Sequence, residues 1–200
     1  MRFDIVEQWV SRTRRGVCGY LSNICAKAER ERIFVGMLST VTAREILDGL
    51  PEDVREACTE LFERLPIEQA MPAPVVQSGQ EDLYPLVEKA LKSAAIKSNP
   101  YLVAGIWLYV DDLQKSHVVS QGLDDPTGAY WHAIMHRREG DFWNSKYWLR
   151  QTQRHEACAS IDRYDAERLV DMADANSPKT VELQRQEWAA LFVWCARKAP

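Results

Sequence analysis

Three of the four histidines of this chain, His117, His132 and His136, fall within twenty residues of one another, and the fourth is His155. Four of the seven tryptophans lie between residues 107 and 148, in a stretch that ends GAYWHAIMHRREGDFWNSKYWLRQ. His132 and His136 are four residues apart, so on a helix both project from one face. Glu139, seven residues beyond His132, falls almost on the same line. Gly128 and Ala129 extend that line with small side chains, which predicts room beside the imidazoles. Two neutral nitrogens and a carboxylate in a row can hold a divalent metal such as zinc, with a further ligand from another helix and an open position for water. The same row can also serve as a metal-free acid/base set, with a carboxylate orienting a histidine near neutral pH. Zincin chemistry is excluded, because Ala133 stands where that motif needs glutamate directly after the first histidine.

The neighbouring residues suggest what such a site would hold. His117 lies on the face of the preceding helix that carries Ile106, Val110 and Leu113, which makes it either a third corner of the site or a buried, hydrogen-bonded core histidine. Asp111 and Asp112 fall away from that face and read as solvated groups or partners of Lys115. Residues 128 to 154 carry Arg137, Arg138, Lys146, Arg150 and Arg154 against Glu139 and Asp141, a local charge of +3 in a chain whose net charge is -4. A basic, aromatic-lined patch suits a polar or anionic small molecule. The expected ligand contacts are Trp131, Arg137, Arg138, Asn144, Lys146 and Tyr147, around a floor of His117, His132, His136 and Glu139.

Helices must position these groups. Apolar spacing predicts helices over Phe3–Arg14 and Tyr20–Leu38. Thr42 with Glu45 forms a capping box before a short helix that Gly49 and Pro51 stop. An amphipathic helix is expected from Glu52 to Leu65 and another over Glu81–Lys97. Between them Pro66, Pro72, Pro74 and Gly79 mark a connection over 66–80 that either divides two subdomains or crosses the surface. Asn99-Pro100 predicts the start of a helix running to about Gln121, and Asp125-Pro126 the start of the histidine helix, ending near Gly140. Asp141 caps the helix carrying Phe142 to Gln151, and Asp162–Ala175 and Thr180–Lys198 complete the series. No internal repeat stands out. The expected fold is all-α, an irregular bundle of about eight to nine helices in a single domain.

Composition excludes other classes. The negative net charge argues against a nucleic-acid binder. The longest uncharged apolar run, Tyr101 to Val110, is half of what a membrane span needs. Asp4 and Glu7 interrupt the first apolar stretch, so no signal peptide is expected, and cytoplasmic localisation follows. The five cysteines are scattered without a CxxC pair, which removes zinc ribbons and thioredoxin-type motifs. No glycine-rich phosphate loop and no G-x-S-x-G elbow occur.

The string Gly128 to Arg150 resembles the central motif of an uncharacterised bacterial and fungal family, with Tyr-Trp-His, His-Arg-Arg-Glu, an Asp, an Asn and Lys-Tyr-Trp in order. Asp112, Ser116, His117 and Gln121 resemble that family's preceding helix. Gly140 and the turn Gln151 to Gln153 depart from its pattern. The resemblance implies where the site lies and nothing about its chemistry. A looser likeness is to DinB-like metal-binding bundles, where a His-x-x-x-His-Arg helix joins a distant histidine around a divalent metal. His132, His136 and Arg137 match that fragment. The distant histidine comes there from an early helix, residues 1 to 116 hold none, and His117 would have to substitute. Two functional readings follow: a metal-dependent or acid/base enzyme acting on a polar small molecule, and a non-enzymatic helical interaction protein in which these residues are structural.

Overall fold

Thr42 opens the first helix among the described residues as its spacing predicts: its hydroxyl accepts from the Glu45 backbone N–H at 3.3 Å, and the Glu45 carboxylate accepts from the Thr42 N–H at 2.9 Å. The computed structural model describes residues 41–198 apart from Arg154 and Arg163, all within one compact unit. The helices expected over Phe3–Arg14 and Tyr20–Leu38 lie outside the described residues. Among the described residues there are ten α-helices and no strand: α1 (Ala43–Gly49), α2 (Glu52–Arg64), α3 (Tyr84–Leu91), α4 (Ala94–Lys97), α5 (Pro100–Tyr109), α6 (Leu113–Ser120), α7 (Pro126–Glu139), α8 (Phe142–Leu149), α9 (Ala166–Asp174) and α10 (Thr180–Arg197). The all-α architecture is as expected. None of these helices is long and apolar enough to cross a membrane.

The core is built around α5, which is buried on nearly every side, and α10. Phe62 of α2, Tyr109 of α5, and Trp188 and Phe192 of α10 form its aromatic centre, with Tyr109 and Trp188 centroids 4.7 Å apart and Trp188 stacked on Phe192 at 4.7 Å. Gly105 lets α10 and Trp131 come this close: a Cβ there would sit 2.9 Å from Phe192 and 3.0 Å from Trp131. The Trp188 indole N–H donates to the Gly105 carbonyl at 2.9 Å, which leaves no donor of that ring unmet in the core.

The helix expected from Tyr101 to Gln121 is two helices. α5 ends at Tyr109, and Asp111 takes a left-handed φ of 60° before α6 begins. The break has a local cause, since Asp112 caps α6 by accepting from the Lys115 N–H at 3.0 Å. Periodicity cannot reveal such a break, because Asp is compatible with both a helix interior and a cap. The stretch Glu81–Lys97 is likewise divided into a 3-10 turn (Glu81–Leu83), α3 and α4.

The pairs α5–α6 and α7–α8 are built alike, with equivalent positions twenty-nine residues apart. In each, the capping aspartate donates its own N–H back to the preceding helix: Asp112 to the Trp107 carbonyl at 3.0 Å, Asp141 to the His136 carbonyl at 2.9 Å. In each, a left-handed residue precedes the cap, Asp111 in one and Gly140 (φ 91°) in the other. In each, a buried serine ties the second helix to the first: Ser116 Oγ donates to the Ala104 carbonyl at 3.0 Å, Ser145 Oγ to the Ala133 carbonyl at 2.8 Å. This structural repeat is hidden in the sequence, where few side chains are shared between the two halves. Both α6 and α8 pack on α7, and far less on one another. They therefore bracket one face of the histidine helix.

The 66–80 connection is fastened along its length. Gln184 donates to the Met71 and Ala73 carbonyls at 2.9 Å, Arg185 to the Ala70 carbonyl at 2.8 Å, and the Val76 N–H to the Arg138 carbonyl at 2.8 Å.

Candidate functional site

Asp125 starts α7, its carboxylate accepting from the Thr127 and Gly128 N–H groups at 2.8 and 3.3 Å and from the Tyr101 hydroxyl at 2.8 Å. Two helical turns later His132 and His136 stand one above the other, rings stacked with centroids 4.8 Å apart. His117 reaches them from α6, 4.8 Å from His132 and 5.5 Å from His136 between ring centroids. Each of the three offers a nitrogen, and these nitrogens all lie within 4.8 Å of one another. The three histidines singled out from spacing are thus brought together. His155 lies apart from them: its Nε2 is 3.0 Å from the Thr127 hydroxyl, and its Nδ1 accepts from the Ala157 N–H at 3.2 Å.

His132 is only 4% exposed, and neither of its ring nitrogens has a hydrogen-bond partner within the protein. Burial, and then the neighbouring His136 and His117, push its pKa down to about 4, so at neutral pH it is an uncharged imidazole. A buried, unpartnered polar ring costs stability, and native proteins keep such groups where a ligand or function uses them. His136 is held differently: its Nδ1 lies 3.1 Å from the Glu139 carboxylate. Glu139 also falls into a second trio with His136 and Asp141, whose donor atoms lie within the same 4.8 Å limit. Asp141 is occupied as the α8 cap, accepting from the Asn144 N–H at 3.1 Å and side-chain amide at 2.6 Å, and these bonds lower its pKa.

The expected ligand contacts are distributed otherwise. Arg137 and Arg138 are fully buried, and each guanidinium is committed to a carboxylate: Arg137 pairs with Glu187 of α10, Arg138 with Asp111 and with the Ala73 and Pro74 carbonyls. Asp111, expected to be solvated or a partner of Lys115, is instead buried in that pair, whereas Asp112 does meet Lys115, at 3.0 Å. Trp131 is a core residue with no exposed surface. Asn144 is spent on the Asp141 cap, and Lys146 pairs at the surface with Asp171. Tyr147 alone among the expected contacts presents its ring to solvent, 42% exposed. Gly128 leaves no empty space either, since a Cβ there would lie 2.2 Å from that of Leu123.

Two residues outside the expected contacts matter here. Trp148 stacks on His132, centroids 4.2 Å apart and planes 23° from parallel, so His132 lies between the Trp148 and His136 rings. Glu187 is fully buried and holds Arg137 and the Tyr164 hydroxyl. Its sequence signal is a lone acid within the apolar stripe Trp188, Leu191, Phe192 and Cys195 of α10. Compared with protein-family models, with curated proteins and with solved structures, the chain matches none.

Proposed function

We propose that His117, His132 and His136 hold a divalent metal ion of the zinc class, at a site with an open coordination position where a small molecule is bound and acted upon. The observation that carries this reading is His132: two buried, unpartnered nitrogens that stay neutral, facing two more imidazoles. Three neutral histidines with a free fourth position are a recurrent catalytic zinc set. Donor atoms around tetrahedral zinc stand about 3.3 Å apart, so the rings need to close in by rotamer adjustments of about an ångström or so. When bound, such an ion polarises a substrate oxygen or lowers the pKa of a water.

The chain's own groups have distinct tasks in this scheme. Glu139 accepts a hydrogen bond from the His136 Nδ1–H, which fixes the tautomer and leaves the Nε2 lone pair for the metal. The Trp148 ring covers one face of His132 and holds it in place. The Asp141 cap and the Ser145 hydroxyl fix α8, and with it Trp148, against α7.

The His136–Glu139 contact also favours a second reading, a metal-free acid/base pair. Metal analysis of protein purified without a histidine tag separates the two. The first predicts one ion per chain, removed by chelation, and lost in His132→Ala and His117→Ala. Protein that takes up no zinc, cobalt or other divalent ion under any of these conditions would falsify it.

A further inference from the structure

Three large apolar side chains are exposed among the described residues: Val118 at 55%, Trp143 at 73% and Tyr147 at 42%. All three lie on α6 and α8, the helices that bracket the histidine face of α7. Val118 follows His117, and Tyr147 precedes Trp148. Val118 and Tyr147 are equivalent positions of the structural repeat, twenty-nine residues apart. The rings on α8 form a continuous row leading out from the site. Trp148 stacks on His132, Tyr147 meets Trp148 edge-on at 5.5 Å, and Trp143 lies parallel to Tyr147 at 6.0 Å with planes 12° apart. Trp143 and Tyr147 are one helical turn apart, so both rings flank the same strip of surface.

The charges around this row are already assigned. Glu139 lies against His136, Asp141 caps α8, Lys146 pairs with Asp171, and Arg137 and Arg138 are buried in ion pairs. Among the described residues, the remaining cation beside the rings is Arg150, over the Tyr147 ring at 5.8 Å. A divalent ion on three imidazoles has no carboxylate ligand among them to balance it, so an oxyanion from the ligand completes it electrostatically. A flat apolar group attached to that oxyanion has the exposed rings to lie against.

We infer that the site takes a small aromatic oxyacid, its oxygen head on the metal bound by His117, His132 and His136 and its ring on the Tyr147–Trp143 row. This rests on the metal reading above. It replaces a basic anion cradle with an aromatic one, because the arginines that would have formed the cradle are buried elsewhere.

The test uses the full chain loaded with cobalt(II), whose visible absorption reports its ligands. It compares two probes with the same head, benzohydroxamate and acetohydroxamate. Benzohydroxamate is expected to bind about tenfold tighter, the equivalent of one favourable aromatic contact. Trp143→Ala and Tyr147→Ala should each remove most of that preference while leaving cobalt uptake and acetohydroxamate binding as they were. Equal affinity for the two probes, or a preference that survives both substitutions, overturns the inference and leaves the metal reading standing. Failure to take up cobalt ends both. If the protein instead forms a concentration-dependent dimer in sedimentation that Trp143→Ala dissolves, the row is a contact between copies and the inference fails.

Discussion

His132 concentrates the cost of the site in one side chain. In metal-free protein its two unpartnered nitrogens are desolvated without return. Replacing it with phenylalanine, which keeps a ring against Trp148, is therefore expected to raise the melting temperature of the metal-free chain while abolishing metal binding. A lower melting temperature would mean that His132 has a stabilising partner. The same residue sets a pH dependence. Its pKa falls from 6.5 to about 4 on folding, so between those values the unfolded chain binds the proton more readily. Stability from this residue is complete above about pH 6.5 and is lost as the pH falls toward 4, by roughly 1 to 3 kcal/mol. Urea titrations of chelator-treated protein across that window should show the loss, and His132→Phe should flatten it. Glu139 acts through His136 rather than through its own packing, being half exposed. Glu139→Gln should weaken metal binding by about 10- to 100-fold, with little change in the stability of the metal-free chain.

At the scale of the helix, α7 is defined by its two ends. Asp125 accepts two backbone N–H groups and the Tyr101 hydroxyl, so it joins α7 to the first turn of α5 as well as starting it. Asp125→Ala is expected to cost about 1 to 2 kcal/mol in chemical denaturation, the upper half of the usual range for a cap, because the tyrosine also loses its acceptor. Asp125→Asn should recover part of this. The other end is Gly140, whose left-handed backbone admits a turn that lets Asp141 begin α8 at once. Helix α7 is buried on nearly every side, with Trp131 against α5 and α10, Arg137 on Glu187, Arg138 on Asp111, and the histidines under α6 and α8. Its amphipathicity is correspondingly weak, and its polar residues are polar because each has a separate buried task.

Across the whole molecule, the Arg138–Asp111 pair joins three parts of the chain: α7, the turn between α5 and α6, and the 66–80 connection through the Ala73 and Pro74 carbonyls. Burial raises the pKa of the Asp111 carboxyl and lowers that of the Arg138 guanidinium, each only partly countered by the other. Desolvation thus outweighs their attraction, and the pair fixes the arrangement more than it adds stability. Arg138→Ala leaves a buried carboxylate alone and is expected to cost about 3 to 5 kcal/mol. Arg138→Met combined with Asp111→Asn should cost clearly less than the two single changes added together, measured as a double-mutant cycle. Additive losses would mean the two groups act independently.

Among the described residues, the helical character of the chain, the proline and aspartate starts of its helices and the alignment of His132 with His136 were legible in the sequence because each depends on residues within one or two turns. Capping needs only the local backbone, and a helical face is fixed by its period of 3.6 residues. The meeting of His117 with that pair was legible only as a condition, since it required α6 to lie beside α7. What tertiary structure decided was the fate of the charges and rings. Nothing in the order His-Arg-Arg-Glu distinguishes an arginine that greets a ligand from one that pairs with Glu187, fifty residues away. The partners that decide this come from α10 and from the turn at Asp111, and long-range pairing leaves no period in the chain. The break at Val110–Asp112 and the repeat of α5–α6 in α7–α8 were hidden for a different reason. They reside in backbone turns and two buried serines, while the side chains around them diverge.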